Sequence, residues 1–184
     1  DLEVQQVETK GHLWHFNYPL EGKTYNPEDS STFITVATTR PETMLGDTAV
    51  AVHPENEKLG HLIGKNVVLP LVGRLIPIVG DTYADPEKGT GAVKITPAHD
   101  FNDFEVGKRH NLPMINILDA EGRILLTGNE AFLAGISEIN FAELLLLLDG
   151  KDRSQARKII VSMMEERGMC PTIEPHTHMV PHGD

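Results

Sequence analysis

A single cysteine, Cys170, in 184 residues removes two common stabilising devices. No internal disulfide can form and no zinc site can be assembled from thiolates, which fits a reducing, cytoplasmic setting. Long apolar runs are missing too. The longest unbroken one is Leu144 to Leu148, far short of the roughly 20 residues of a membrane-spanning helix, so no membrane crossing is expected. The first residues, Asp1, Leu2 and Glu3, lack the basic-then-apolar order of a secretory signal. Positive charge is scarce, with 16 Lys and Arg against 27 Asp and Glu and a net charge of -11. Phosphate contacts from Lys and Arg normally supply most nucleic-acid affinity, so this balance argues against a free-standing nucleic-acid binder. An RNA partner would have to be held by something else. Gly89-Thr90-Gly91 is followed by neither a Walker lysine-serine nor a dinucleotide fingerprint, and nucleotide hydrolysis is not expected. His176, His178 and His182 crowd together, but no carboxylates or supporting partners are evident beside them, and no metal site is expected.

What is present suits one domain with a sizeable core, since 40% of the residues are hydrophobic. Segments 13–18, 32–38, 48–52, 66–69, 75–79, 92–96 and 114–118 are rich in Val, Ile and Thr and separated by Pro, Gly, Asn and Asp. They predict short strands in a barrel or sandwich. Helices are predicted over 100–110 and 152–167, the latter capped by a left-handed Gly168 and burying Ala156, Ile159, Ile160 and Met163. Segment 125–150 is the least legible, with 144–148 either a buried helix or part of a hydrophobic flap. Both ends read as cut, Pro181 to Asp184 stopping in a turn-like sequence, so a piece of a larger protein is expected.

Two segments combine polar groups with tight turns. In Thr38-Thr39-Arg40-Pro41-Glu42-Thr43-Met44-Leu45-Gly46-Asp47, Pro41 presets a helical φ and Gly46 can stop the turn. Hydroxyls and backbone N–H groups gathered there can serve a carbonyl, a ribose or a phosphate, although Thr38 and Thr39 also suit ordinary strand and capping positions. In the second segment, Ala92, Lys94 and Thr96 share one strand face by the period of two. If Asp100 opens a helix, Asp103 falls on nearly the same side, and a lysine and two carboxylates converge. Asp100 as a plain N-cap, with Asp103 favoured by the helix dipole, accounts for the same residues. A carboxylate at 103 can bind an ammonium group, while His99 suits a hydrogen-bonding or capping role better than that of a base.

Residues 38–54 and 89–110 together resemble the inserted editing domain of class I valyl-tRNA synthetases. The resemblance continues through Leu62-Ile63-Gly64-Lys65, Ile76-Pro77-Ile78-Val79 and Asn116 to Gly122, covers most of 13–124, and returns weakly after Asp152. Isoleucyl relatives usually carry histidine at the place of Lys94 and glycine at that of Asp100, and leucyl relatives typically lack the Lys94-Ile95-Thr96-Pro97 string. The valyl type therefore fits better than its isoleucyl or leucyl alternatives, or than a noncatalytic tRNA-docking module.

The resemblance implies a barrel-based α+β fold, mainly β with flanking helices. One editing domain would fill 1–184, with a barrel core at 13–124 and a helical flap and return to the parent at 125–184. It implies hydrolysis of threonine misattached to valine tRNA, because a valine pocket cannot strongly reject its near-isostere by size and a second site must read the hydroxyl. Asp103 would anchor the ammonium group, with Lys94, Asp100 and Thr43 shaping and polarising the pocket. Arg40 and the 38–43 turn would hold the terminal adenosine, and Thr38, Thr39, Glu42, Thr96 and His99 complete the tRNA-end set. Water would be the nucleophile, as no serine or cysteine pairs with histidine in a recognisable triad order. No cofactor or metal is implied here; ATP and magnesium belong to the parent's synthetic domain, whose His-Ile-Gly-His and Lys-Met-Ser-Lys-Ser types of signature are absent. The implied partners are the 3′ end of tRNA(Val) and the rest of the synthetase.

Overall fold

The computed structural model describes residues 5–136 and 138–182, with side chains from 11–136 and 138–176. Strand β1 (Gln5–Pro19) puts Trp14, Phe16 and Tyr18 on one buried face, and Leu20 continues the alternation just beyond it. The period of two thus converts sequence directly into an inward wall. β2 (Phe33–Thr38) buries Ile34, Val36 and Thr38 and pairs antiparallel with β1, Trp14 opposite Thr38. The second sheet contains β3 (Ala49–Val52), β4 (Asn66–Val68), β5 (Leu75–Gly80) and β6 (Ala92–Ile95), in the order β4-β5-β3-β6. A bridge from Leu20 to Val67 joins β1 to β4, while β2 lies against β6, so the sheets close on each other as a barrel.

Every residue of β3 is buried, as expected of a strand covered on both sides. Val50 and Val52 enter the main core, whereas Ala49 and Ala51 pack with Ile95 and Val106. Val106 lies on α1 (Phe101–Arg109), so this helix covers the outer face of β3. Methyl side chains suit that close approach: a Cβ on Gly107 of α1 would lie 3.0 Å from the Pro97 ring. Asp100 caps α1 by accepting the Asp103 N–H at 3.0 Å.

Segment 125–150 forms a short helix α2 (Glu130–Leu133) and a longer α3 (Glu138–Leu148). The leucine run is one edge of α3 only: Leu144 and Leu148, one turn apart, are buried, whereas Leu146 is 80% exposed. Helix α4 (Arg153–Glu166) begins in a capping box between Asp152 and Gln155, and Gly168 beyond it has φ +67. Its buried stripe is Ala156, Ile160, Met163 and Met164, with Ile159 only partly covered.

Two departures from the sequence reading concern strands. Segment 114–118 contributes only a bridge from Leu118 to Ile124. Its apolar alternation reflects burial of Ile115 and Ile117, while the Ile117 N–H is donated to the His99 ring instead of a ladder. Conversely, the chain's end supplies β7 (Thr172–His182), antiparallel to β1 from Gln5↔His182 to His15↔Thr172. Only its last residues, Pro181 and His182, fall in the stretch read as turn-like, and no strand is predicted over the rest; at a sheet edge Pro175 and Pro181 can be tolerated. The side chains of His178 and His182 lie outside the described residues, and no cluster of metal-ligating type occurs among those described.

Candidate active site

A cleft of about 210 Å³ opens where β2 runs into the 41–46 turn, beside β6 and the start of α1. Leu13, Ala37, Thr38, Thr39, Arg40, Thr43, Val93, Lys94, Thr96, Asp100 and Asp103 line it. The two polar segments, some fifty residues apart in sequence, therefore meet. β2 and β6 lie side by side, and Pro41 and Gly46 bracket two tight turns of 3-10 helix that fold Thr43 over the end of β6. Gly46 is required by space: a Cβ there would sit 2.8 Å from the Ile115 carbonyl and 3.3 Å from Thr96 Cγ2.

Lys94 is 6% exposed and spends all three ammonium protons within the protein. Nζ lies 2.9 Å from Thr43 Oγ1, 2.6 Å from Thr96 Oγ1 and 2.9 Å from Asp47 Oδ1. Asp47 is wholly buried and also accepts from the Thr96 hydroxyl at 2.6 Å and from the Tyr18 hydroxyl at 2.6 Å. Burial pushes its carboxyl upward against the opposing pull of Lys94 and the two hydroxyls. The proton order of the pocket follows. Thr96 gives its proton to Asp47 and Thr43 gives its own to the Arg40 carbonyl at 3.0 Å. Each hydroxyl accepts from Lys94 and keeps one lone pair free, so both can accept, but not donate, a hydrogen bond from a ligand.

Asp103 is 6% exposed. Its Oδ2 accepts the Thr96 N–H at 3.0 Å and its Oδ1 the Tyr83 hydroxyl at 3.2 Å. Burial, reinforced by the neighbouring Asp100 charge and opposed by Thr96, Lys94 and Tyr83, raises its carboxyl to about 6. At neutral pH it is therefore mostly ionised, with lone pairs left for a cation. Tyr83 is itself held, its N–H donating to Asp81 at 2.9 Å. Burial pushes Asp81 up, but hydrogen bonds from Arg109, the Tyr83 amide and His110 outweigh it and hold the carboxyl at about 2.

Arg40 lines the mouth with its guanidinium anchored on the His99 carbonyl at 2.6 Å. His99 itself faces away from the cleft. Its Nε2 accepts the Ile117 N–H at 2.9 Å, which fixes the proton on Nδ1 and occupies the only lone pair a base could use. Burial, with Arg40, Lys94 and Arg153 nearby, lowers its pKa to about 4. Glu42 also stands apart from the cleft: it is buried in a two-pronged pair with Arg157 of α4, Nε to Oε1 3.0 Å and Nη2 to Oε2 2.9 Å. It staples the 41–46 turn to that helix instead of facing a ligand. The structure adds Asp47, Tyr18 and Tyr83 to the residues singled out from the sequence. Asp47 had a signal, a lone acid followed by Thr48 and an unbroken apolar strand; the tyrosines had none.

A barrel with a polar cleft at the junction of two motif loops defines a class, and comparison with known proteins supplies it. The family model described as "Leucyl-tRNA synthetase, editing domain" matches residues 53–165, and the chain belongs to this family of aminoacyl-tRNA synthetase editing domains. Within the family it is of the valyl-tRNA synthetase type. Over its whole length it is 69% identical to the valine-tRNA ligase of Nitrobacter winogradskyi and 65% identical to that of Rhodopseudomonas palustris, spanning 19% of each of these relatives. Among solved structures, the LeuRS of Agrobacterium radiobacter K84, in ternary complex with tRNA and LeuAMS, matches 96% of this chain with 21% of its own, at TM-score 0.59 and 21% identity. The domain GlLeuRS-CP1 matches 87% of this chain with 98% of its own, at TM-score 0.58 and 14% identity. At these identities the likeness is one of fold.

Proposed function

We propose that this domain hydrolyses the ester of threonine misattached to tRNA(Val), within a cytoplasmic synthetase that attaches valine with ATP. The observation that carries the reading is the convergence of Asp103, Lys94, Thr43 and Thr96 in one cleft. Asp103 binds the substrate's ammonium group. One of the proton-ordered hydroxyls, that of Thr43 or of Thr96, accepts the single proton of the threonine hydroxyl, a donor that valine lacks. With valine bound, a methyl faces those buried lone pairs and leaves them unpaired, a loss of about 1–3 kcal/mol. Discrimination thus depends on a polar group that only the wrong amino acid satisfies.

Arg40 and the 38–43 turn receive the terminal adenosine, with Thr38 and Thr39 at the cleft wall. Water attacks the ester carbonyl carbon; the bond to the ribose oxygen breaks, and that oxygen leaves with a proton. His99 is no candidate base because its lone pair is committed. Positioning and the remaining guanidinium donors of Arg40 do the work on an ester that is already labile. No cofactor or metal is assigned to this step. The partners are the 3′ end of tRNA(Val) and the remainder of the synthetase.

The test is deacylation by the full-length synthetase of threonyl-, valyl- and isoleucyl-tRNA. Preferential loss of threonine supports the reading, loss of isoleucine would move the domain to another specificity, and no loss of any would leave a docking module. Asp103→Ala should abolish the threonine reaction while aminoacylation with valine continues.

A further inference from the structure

Outside the site described above lies a second cleft of about 560 Å³, formed by the first half of β2, the 30–31 turn and the loop 58–65. Its lining has no Asp or Glu, although the chain contains 27 such residues. It has instead Lys23, Lys58, Lys65 and His61. All three lysines are exposed, and none belongs to an ion pair among the described residues, Lys23 merely influencing Asp29 at longer range. A positive concavity on a protein of net charge -11 is a local exception that the overall composition conceals.

Its position gives the exception a direction. Phe33 and Thr35 line the basic cleft, and Ala37, further along the same face of β2, lines the catalytic one together with Thr38 and Thr39 at the strand's end. Thr35 and Ala37 are roughly 7 Å apart at about 3.3 Å per residue. The catalytic cleft is polar towards Asp103 and Lys94 and apolar at Ala37 and Val93, and Ala37 is the side that adjoins Thr35. An aminoacyl ester seated by Asp103 leaves its nucleotide on the β2 side of the cleft, from which the chain leading to it can run along β2 into the basic cleft.

We infer that the basic cleft holds the phosphates of the unpaired nucleotides preceding the aminoacylated terminal adenosine, laying the single-stranded 3′ end of the tRNA along the outer face of β2. This inference rests on the function proposed above. Phosphates meet the three lysines as point charges, and the half-buried ring of Phe33 offers a surface on which a base can stack. The arrangement also reconciles an acidic domain with an RNA substrate, because three lysines gather in a concavity that no Asp or Glu lines.

The experiment compares the full-length synthetase carrying Lys23→Gln, Lys58→Gln and Lys65→Gln with a control of equal charge change, Lys108→Gln, Lys151→Gln and Lys158→Gln. Three substrates are used: threonyl-tRNA, threonyl-adenosine, and a fluorescent oligoribonucleotide with the tRNA 3′ sequence. The cleft variant should raise KM for threonyl-tRNA about tenfold at low salt and hold kcat, and lower the slope of log affinity against log salt by about 2, three contacts at roughly 0.7 each. It should weaken oligoribonucleotide binding in parallel, while the control variant does neither. Equal losses on threonyl-adenosine, or equal effects from the control, would overturn the inference. Unchanged oligoribonucleotide binding would overturn it as well, whether or not the wild type deacylates threonyl-tRNA. Absence of that deacylation in the wild type counts instead against the proposed function.

Discussion

Asp47→Asn tests the buried centre of the site. The substitution preserves shape and removes the charge opposite an ammonium that is 6% exposed. Lys94 keeps two neutral acceptors, Thr43 and Thr96, and loses the anionic one. Stripping one partner from a buried pair costs on the order of 3–5 kcal/mol, and the remaining hydroxyls and the adjoining cleft put this case at the low end, about 3 kcal/mol. For a chain of this length that is a fall in Tm of roughly 6–12 °C. The proton order also changes, because the amide keeps its oxygen towards Lys94 and Thr96 and turns its nitrogen to the Tyr18 hydroxyl, which must then accept where it donated. Threonyl ester hydrolysis should lose about 10- to 100-fold in kcat/KM by analogy with hydrogen bonds to charged groups. Thermal denaturation by circular dichroism, with a double-mutant cycle against Lys94→Met, measures the coupling. The double variant should be less destabilised than the sum of the single variants by about 2 kcal/mol; additivity within about 0.5 kcal/mol would refute the pairing argument.

Asp103→Asn should lose threonyl deacylation and yet gain stability at pH 7.5. The folded carboxyl, raised to about 6, binds more protons between pH 4 and 6 than the unfolded one, so its stabilising contribution is full below about 4 and lost as pH rises through 6. Denaturant titrations at pH 4 and pH 7.5 should show the variant's advantage, on the order of 1–3 kcal/mol, only at the higher pH; wild-type deacylation should rise with pH through about 6. Arg157→Met should destabilise by about 3 kcal/mol in chemical denaturation because it strands the buried Glu42 carboxylate. Gly46→Ala should cost about 1–3 kcal/mol in thermal melts and depress kcat/KM, since the added methyl meets the Ile115 carbonyl and Thr96. His99→Ala should cost about 1–2 kcal/mol by orphaning the Ile117 N–H, while the pH-rate profile keeps its shape.

Much of the site was legible because its chemistry is local. The period of two along 92–96 places Lys94 and Thr96 on one face, and the spacing of Asp100 and Asp103 makes a helix cap that also points into a cleft. The turn from Pro41 to Gly46 is likewise set by φ preferences in the sequence itself. The alternating strand 33–38 and the wholly apolar one at 49–52 announced a β-rich core, since side-chain parity survives any choice of partner. Only the tertiary structure could decide partners. Nothing local tells Glu42 that Arg157 waits 115 residues away, or tells Tyr18 that its hydroxyl ends on Asp47. The same holds for β7, whose end reads as turn-like and whose body gives no strand signal until β1 supplies a ladder, and for 114–118, whose alternation buries side chains while its backbone makes only one bridge. Sequence fixes which way a side chain leaves its own backbone, because dihedral preferences act over a few residues; what it meets there depends on loop closures across the whole chain, and those are chosen by collective burial.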